Sequence, residues 1–350
     1  MSDIFIRITG QAGRITLTRP RALNALTYDM AMQIDTALKD WAQNEAVKLV
    51  IIDAEGPKAF CAGGDIQEIY ERGRAGDVAF AQRFWRDEYR LNARIAEYPK
   101  PYLAFMQGFT MGGGVGISCH GSHRIVGETS QIAMPEVGIG LVPDVGGSLL
   151  LARAPGRMGE YLATTATRMG TADALLAGFA DCFVPEAKWP DLIADLEAEA
   201  DLGAIDRATE PPPRGLVRAR AAEVDALFGG ETLRDILNAL NADQGAFARE
   251  TCATLTRHSP LSMACAIEMI HRLRGPAADI RRALDLEYRF TFRAMEHGDF
   301  LEGIRAAVID KDRRPVWRHA LDDPPALVAT KMLMPLGTAK LTFDEEGETT

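Results

Sequence analysis

Over roughly its first 190 residues the chain alternates short strand-like runs with helical stretches, and beyond about residue 217 the strand signals stop. "FIRITGQAGRITLTRP" shows period-2 alternation on both sides of a Gly-containing turn and predicts a hairpin. Residues 28–44 carry apolar positions at helical spacing. "VKLVIIDAEG" is a buried-strand run, and "PYLAFMQG" and "HRIVGE" are shorter ones. A β-α-β-α order of this kind demands a layered α/β domain. "EPPPRG", residues 210–215, breaks any helix. The segments after it, "LRDILNALNAD", "SPLSMACAIEMIHRLRG", "DIRRALDLEYRFTFRAM" and "DFLEGIRAAVID", predict helices. Ser259-Pro260 marks a helix start and Gly275-Pro276 a stop. The expected organisation is an α/β core over residues 1–205 and a helical region over 206–350, packed on the core or on a neighbouring subunit.

Two glycine clusters punctuate the α/β part, "AFCAGGDI" (59–66) and "GFTMGGGVGIS" (108–118). Each follows a strand-like run and precedes a helical one. Glycine there lets backbone approach a ligand and lets successive N–H groups converge. Converging N–H groups are what an oxyanion needs. Tight turns are the plainer reading of either cluster alone. Neither fits a phosphate loop, because no Gly-Lys-Ser/Thr follows, and neither carries a dinucleotide fingerprint.

A third stretch, "MPEVGIGLVPDVGG" (134–147), sets Glu136 and Asp144 among apolar residues. Acids are rarely buried without a partner or a purpose. Asp144 could also serve as an N-cap for a helix starting near Val145-Gly146-Gly147.

The formal net charge of -10 argues against a general nucleic-acid binder. No run approaches 18 uninterrupted apolar residues, so no membrane span is expected. The five cysteines are far apart and form no CxxC pair, and the six histidines show no metal-ligand spacing. Neither a zinc site nor a disulfide framework is expected. A reducing compartment fits, and together with a start lacking a secretory pattern it predicts a cytoplasmic protein.

"TRPRALNAL", "AFCAGGDI", "GFTMGGGVGIS" and "MPEVGIGLVPDVGG" occur in the order seen in the crotonase (enoyl-CoA hydratase/isomerase) superfamily, which residues 5–200 therefore resemble. "FWRDEYRLN" (84–92) and the late "YRFTFRAMEHGDFLEGIRAAVIDKDRRPVW" look like one branch, the 3-hydroxyisobutyryl-CoA hydrolases, and extend the resemblance to about residue 320.

The resemblance implies stacked ββα turns in a spiral core, a helical C-terminal region and a coenzyme A thioester substrate. It places the thioester oxygen on the backbone N–H groups of Gly64 and Gly113. It assigns coenzyme A contacts to Arg21 and Ala22, and to backbone near Ala62, Asp65 and Ile66. Gln67 stands where many relatives carry a phosphate-binding lysine. Hydratases of the superfamily use two glutamates. Here the first position is Gly116 and the second is Glu136. The implied reaction is thioester hydrolysis of 3-hydroxyisobutyryl-CoA in valine breakdown. Glu136 acts as nucleophile or general base, Asp144 binds the 3-hydroxyl or steers Glu136, and Glu88 contacts substrate. No cofactor is implied beyond the coenzyme A of the substrate. Assembly into homo-oligomers is a family habit that the helical region could replace by folding back on its own core. The competing readings are a single-glutamate enoyl-CoA isomerase and a non-catalytic acyl-CoA-binding protein.

Overall fold

The computed structural model describes residues 3–343. Its contacts divide the chain into two interleaved units. One holds the residues up to Asp65 with Arg94–Ala133 and Arg168–Arg220. The other holds Ile66–Ala93, Met134–Thr167 and the chain from Ala221 on.

The first unit carries the ten strands of the described residues: β1 (Ile4–Thr9), β2 (Ala12–Leu17), β3 (Leu49–Ala54), β4 (Ala59–Cys61), β5 (Tyr102–Met106), β6 (Phe109–Met111), β7 (His123–Val126), β8 (Gln131–Ala133), β9 (Met169–Gly170) and β10 (Cys182–Phe183). They form a six-stranded sheet, β1-β2-β3-β5-β7-β10, and a four-stranded sheet, β4-β6-β8-β9. From β3 to β8, successive strands fall alternately in the larger and the smaller sheet, and neighbours within each sheet run parallel. Each ββ step thus adds one strand to each sheet, which is the spiral that the family resemblance implies. The predicted hairpin is β1–β2, paired antiparallel with Ile4 opposite Leu17. Residues of β3 and β5 bury on both faces, as parallel strands covered on both sides must.

The helices of this unit are α1 (Tyr28–Gln43), α4 (Gly113–Gly116), α7 (Thr171–Ala177), α8 (Trp189–Glu199) and α9 (Gly203–Ala208). Thr27 caps α1 by accepting from the Met30 N–H. Trp189, Leu192 and Leu196 of α8 pack with Leu49, Ile51, Leu103 and Phe105 of the larger sheet into one apolar core.

The second unit is helical. It comprises α2 (Ile66–Arg74), most of α3 (Val78–Ala96), α5 (Gly147–Arg153), α6 (Met158–Thr165), α10 (Ala221–Leu227), α11 (Leu233–Ala242), α12 (Ala246–Leu255), α13 (Pro260–Leu273), α14 (Ile280–His297), α15 (Phe300–Ile304) and α16 (Ala326–Met332). Ser259 caps α13 with Pro260 at its first position, as its sequence predicts. The helix expected over "DFLEGIRAAVID" departs from the α pattern. After Ile304 it widens into a π turn over Arg305–Ile309. Arg305 there gathers Glu302, Asp310, Asp312 and the Arg314 carbonyl, and this wide turn accompanies its several acceptors. Val137, Val224, Phe228, Ile236, Met263 and Ile267 share an apolar core. No helix among the described residues is long and apolar enough to cross a membrane.

Candidate active site

In the first unit the two glycine-rich turns lie against each other. A Cβ on Gly114 would stand 2.3 Å from the Cys61 carbonyl oxygen, so only glycine lets α4 approach the end of β4. Gly63 takes φ +119° and faces the Met111 carbonyl. Gly113 opens α4, so its N–H has no partner inside the helix. Gly64 pairs with Leu26 through a bridge whose two hydrogen bonds, Leu26 N–H to Gly63 and Asp65 N–H to Leu26, leave the Gly64 N–H out. A Cβ on Gly64 would meet nothing within 4 Å.

The turn Pro20–Ala22 joins the same neighbourhood. The Ala62 N–H donates to Leu23, and Asn24 donates to the Glu55 and Ala59 carbonyls. The Arg19 guanidinium donates to the Asp65 carboxylate at 3.1 Å. Arg21 and Ala22 are exposed on this turn, beside the "CAGGD" backbone. The Asp65 side chain is therefore engaged within the protein, and its N–H donates to the Leu26 carbonyl. Ile66 is half-buried at the start of α2, and Gln67 donates to Glu71.

The second unit gathers acids. Glu88, Glu136 and Asp144 are each about 95% buried (4%, 5% and 4% exposed), and Glu287 is fully buried. Glu136 opens a 3-10 turn, Glu136–Ile139. Burial pushes its carboxyl well above the usual range, and the Asp144 charge pushes it further. Burial takes Asp144 to about 7 against the pull of the Tyr89 hydroxyl, which donates to its Oδ2 at 2.8 Å. Glu88, one residue before Tyr89 on α3, is raised by burial and by Asp144. Oε1 of Glu88 and Oε2 of Glu136 have no hydrogen-bond partner. Unpaired acceptors in an interior are costly, and functional sites are where such cost is retained.

Asp144 does not cap α5. The cap position is Gly146, without a side-chain bond, and Asp144 turns to Tyr89 instead. Sequence reasoning missed Tyr89 and Glu287. Glu287 had a signal: with Ile280, Ala283, Leu284, Thr291 and Ala294 it falls on one helical stripe, and an acid in an otherwise apolar or small-residue stripe faces inward. Among the described residues no group of three or more His, Cys, Asp or Glu could hold a metal ion. Cys61 and Cys119 are buried filler, and burial raises the Cys119 thiol to about 11.

The family model for "Enoyl-CoA hydratase/isomerase" matches residues 12–328. The chain belongs to the enoyl-CoA hydratase/isomerase family. It is 39% identical to the 3-hydroxyisobutyryl-CoA hydrolase, mitochondrial, of Danio rerio, over 91% of this chain and 85% of that protein. It is 36% identical to the corresponding Homo sapiens protein over 91% and 84%. Among solved structures, one described as an enoyl-CoA hydratase from Rhodobacter sphaeroides superposes with a TM-score of 0.93 at 57% identity, covering 97% of this chain and all of that one. One described as a carnitinyl-CoA dehydratase from Mycobacterium thermoresistibile gives 0.92 at 37%, covering 99% and 100%. The crotonase-type α/β fold with a helical C-terminal region follows for this member.

One expectation is corrected. The named relatives are mitochondrial, so the cytoplasmic placement does not stand. Dispersed free cysteines report a reducing environment, which a mitochondrial matrix and a cytosol share.

Proposed function

We propose that the protein hydrolyses acyl-CoA thioesters and that its substrate is 3-hydroxyisobutyryl-CoA, an intermediate of valine breakdown. One observation carries the reading: Glu136 and Asp144 are buried in one acidic cluster while position 116 carries only a hydrogen. Relatives at 36–40% identity named for that hydrolase support it.

In the proposed reaction the thioester oxygen takes the N–H groups of Gly64 and Gly113. Glu136 attacks the carbonyl carbon, or removes a proton from the water that attacks it. Negative charge develops on the oxygen that the N–H pair receives. The C–S bond breaks, the coenzyme A thiolate leaves and takes up a proton, and water supplies the second oxygen of the acid product. Along the nucleophilic route that water opens an acyl–Glu136 anhydride. Asp144 and Glu88 are acceptors for the 3-hydroxyl group, which an apolar pocket would leave unpaired. Arg21 and Ala22, with backbone of Ala62, Asp65 and Ile66, bind coenzyme A. This chemistry uses side chains and amides of the chain and draws on no added cofactor.

A second reading, hydration of an enoyl-CoA, is favoured by the description of the Rhodobacter sphaeroides structure. It requires a mechanism with a single one of the usual two glutamates. The deciding experiment follows thiol release from 3-hydroxyisobutyryl-CoA with a thiol-reactive dye, beside the conjugated absorbance of crotonyl-CoA. Thiol release with crotonyl-CoA unchanged is expected. Loss of crotonyl absorbance without thiol release would replace hydrolysis by hydration. Double-bond migration in a 3-enoyl-CoA control would bring forward the isomerase. Binding with no turnover of any ester would leave an acyl-CoA-binding protein.

A further inference from the structure

Glu287 lies in the middle of α14, far along the chain from Glu136 and Asp144, and is fully buried. Its Oε2 accepts the Gly146 N–H at 2.8 Å. Its Oε1 accepts the Ser148 N–H at 3.1 Å and the Ser148 hydroxyl. These three donors belong to the turn that begins at Asp144. That turn is constrained: Val145 takes φ 52° and Gly146 φ 80°, and the Gly147 N–H closes back on the Asp144 carbonyl at 2.7 Å. Without the carboxylate, two buried N–H groups at the start of α5 would lose their acceptor.

We infer that Glu287 is a positioning residue for the proposed hydrolysis: its three hydrogen bonds tie the Asp144 turn to α14 and so fix where the Asp144 carboxyl meets the Tyr89 hydroxyl. The inference rests on the hydrolase reading for its consequence in turnover.

The acidic turn brings Glu136 and Asp144. Helix α3 brings Tyr89, whose hydroxyl is held by Asp144, and Glu88. Helix α5 offers Ser148 and amides, while its Arg153 donates to Ala278. On α13, Glu268 pairs with Arg272 and His271 with Glu160. On α15, Glu302 pairs with Arg305, and Lys331 of α16 is exposed. Asp285 and Arg289 of α14 pair with each other. Burial raises Glu287 to about 8 while its three donors pull it down.

The test is Glu287→Gln in the full chain. The amide keeps the shape and points a donor at a donor. With 3-hydroxyisobutyryl-CoA, kcat per folded enzyme is expected to fall about 10- to 100-fold with KM within about threefold. The acid limb of kcat is expected to move up, because a loosened turn weakens the Tyr89 hydrogen bond that holds Asp144 down. A merely structural role would lower Tm and leave the limb in place. Should Glu287→Gln not fold, Ser148→Ala removes one of the three donors and is expected to move the limb the same way by less. An unmoved limb in whichever variant folds overturns the inference. If the wild-type chain releases no thiol, the hydrolase reading fails by itself. Infrared titration of the buried carboxyls then decides about Glu287 without turnover. A higher Asp144 midpoint in Glu287→Gln supports its hold on the turn, and an unchanged midpoint removes it.

Discussion

The Tyr89 hydroxyl donates to Oδ2 of Asp144 at 2.8 Å, and both residues are buried. This bond lowers the proton affinity of Asp144 against the burial that raises it. In Tyr89→Phe the opposition is gone, so Asp144 holds its proton to higher pH. The acid limb of kcat/KM is expected to shift upward, with activity at neutral pH about 10- to 100-fold lower, the loss of one hydrogen bond to a charged group. A pH–rate profile of the variant reads both. An unmoved limb would separate Asp144 from the titration that governs turnover.

Glu136→Gln is expected to abolish thiol release while acyl-CoA binding, read by calorimetry, stays within a few-fold of wild type. Stability should respond in the opposite direction. A carboxyl whose folded pKa is raised binds its proton more tightly in the folded chain than in the unfolded one. Folded stability therefore falls as pH rises from the ordinary carboxylate range through the raised value. Burial and Asp144 raise Glu136, so removing its charge should stabilise the chain increasingly as pH rises above the ordinary carboxylate range. Thermal melts across that rise check the sign. A gain that shrinks with pH would contradict a raised Glu136.

Asp144→Asn separates hydroxyl binding from general assistance. Against 3-hydroxyisobutyryl-CoA it should lose about tenfold or more beyond its loss against isobutyryl-CoA, which lacks the hydroxyl. Paired kcat/KM measurements decide, and equal losses would assign Asp144 to steering Glu136 with either ester.

Gly303 of α15 presses on the Glu136 turn. A Cβ there would stand 2.0 Å from the Ile139 carbonyl oxygen, which is backbone and cannot step aside. Gly303→Ala is expected to cost about 1–3 kcal/mol in denaturant unfolding and to lower kcat through displacement of Glu136. Full activity with undiminished stability would show that the turn tolerates the shift.

Much of this fold was legible because its signals are local. Period-2 alternation marked β1 and β2, Ser259-Pro260 marked the start of α13, and glycines marked the turns at Gly64 and Gly113. The alternation of strands between two sheets left no such trace, because it is set by which parallel neighbours meet. Tyr89 and Glu287 were obscured for a related reason. Each acts through a partner many residues away, Asp144 for the first and Gly146 with Ser148 for the second. Glu136 and Asp144 stood out because burial of acids shows in the apolar residues beside them. The π turn at Arg305 accompanies one guanidinium gathering several acceptors, which helical periodicity does not register.

The seat of Gly303 against Ile139 also sets an order in time. During synthesis the Glu136 turn leaves the ribosome long before the helix that braces it, and the Asp144 turn long before Glu287. A nascent chain arrested short of residue 287 holds every acid that the reaction is proposed to touch, yet lacks the parts that fix where they stand. Catalysis would then switch on late, when the last fifth of the chain arrives, and a half-made protein would leave the cell's thioesters alone.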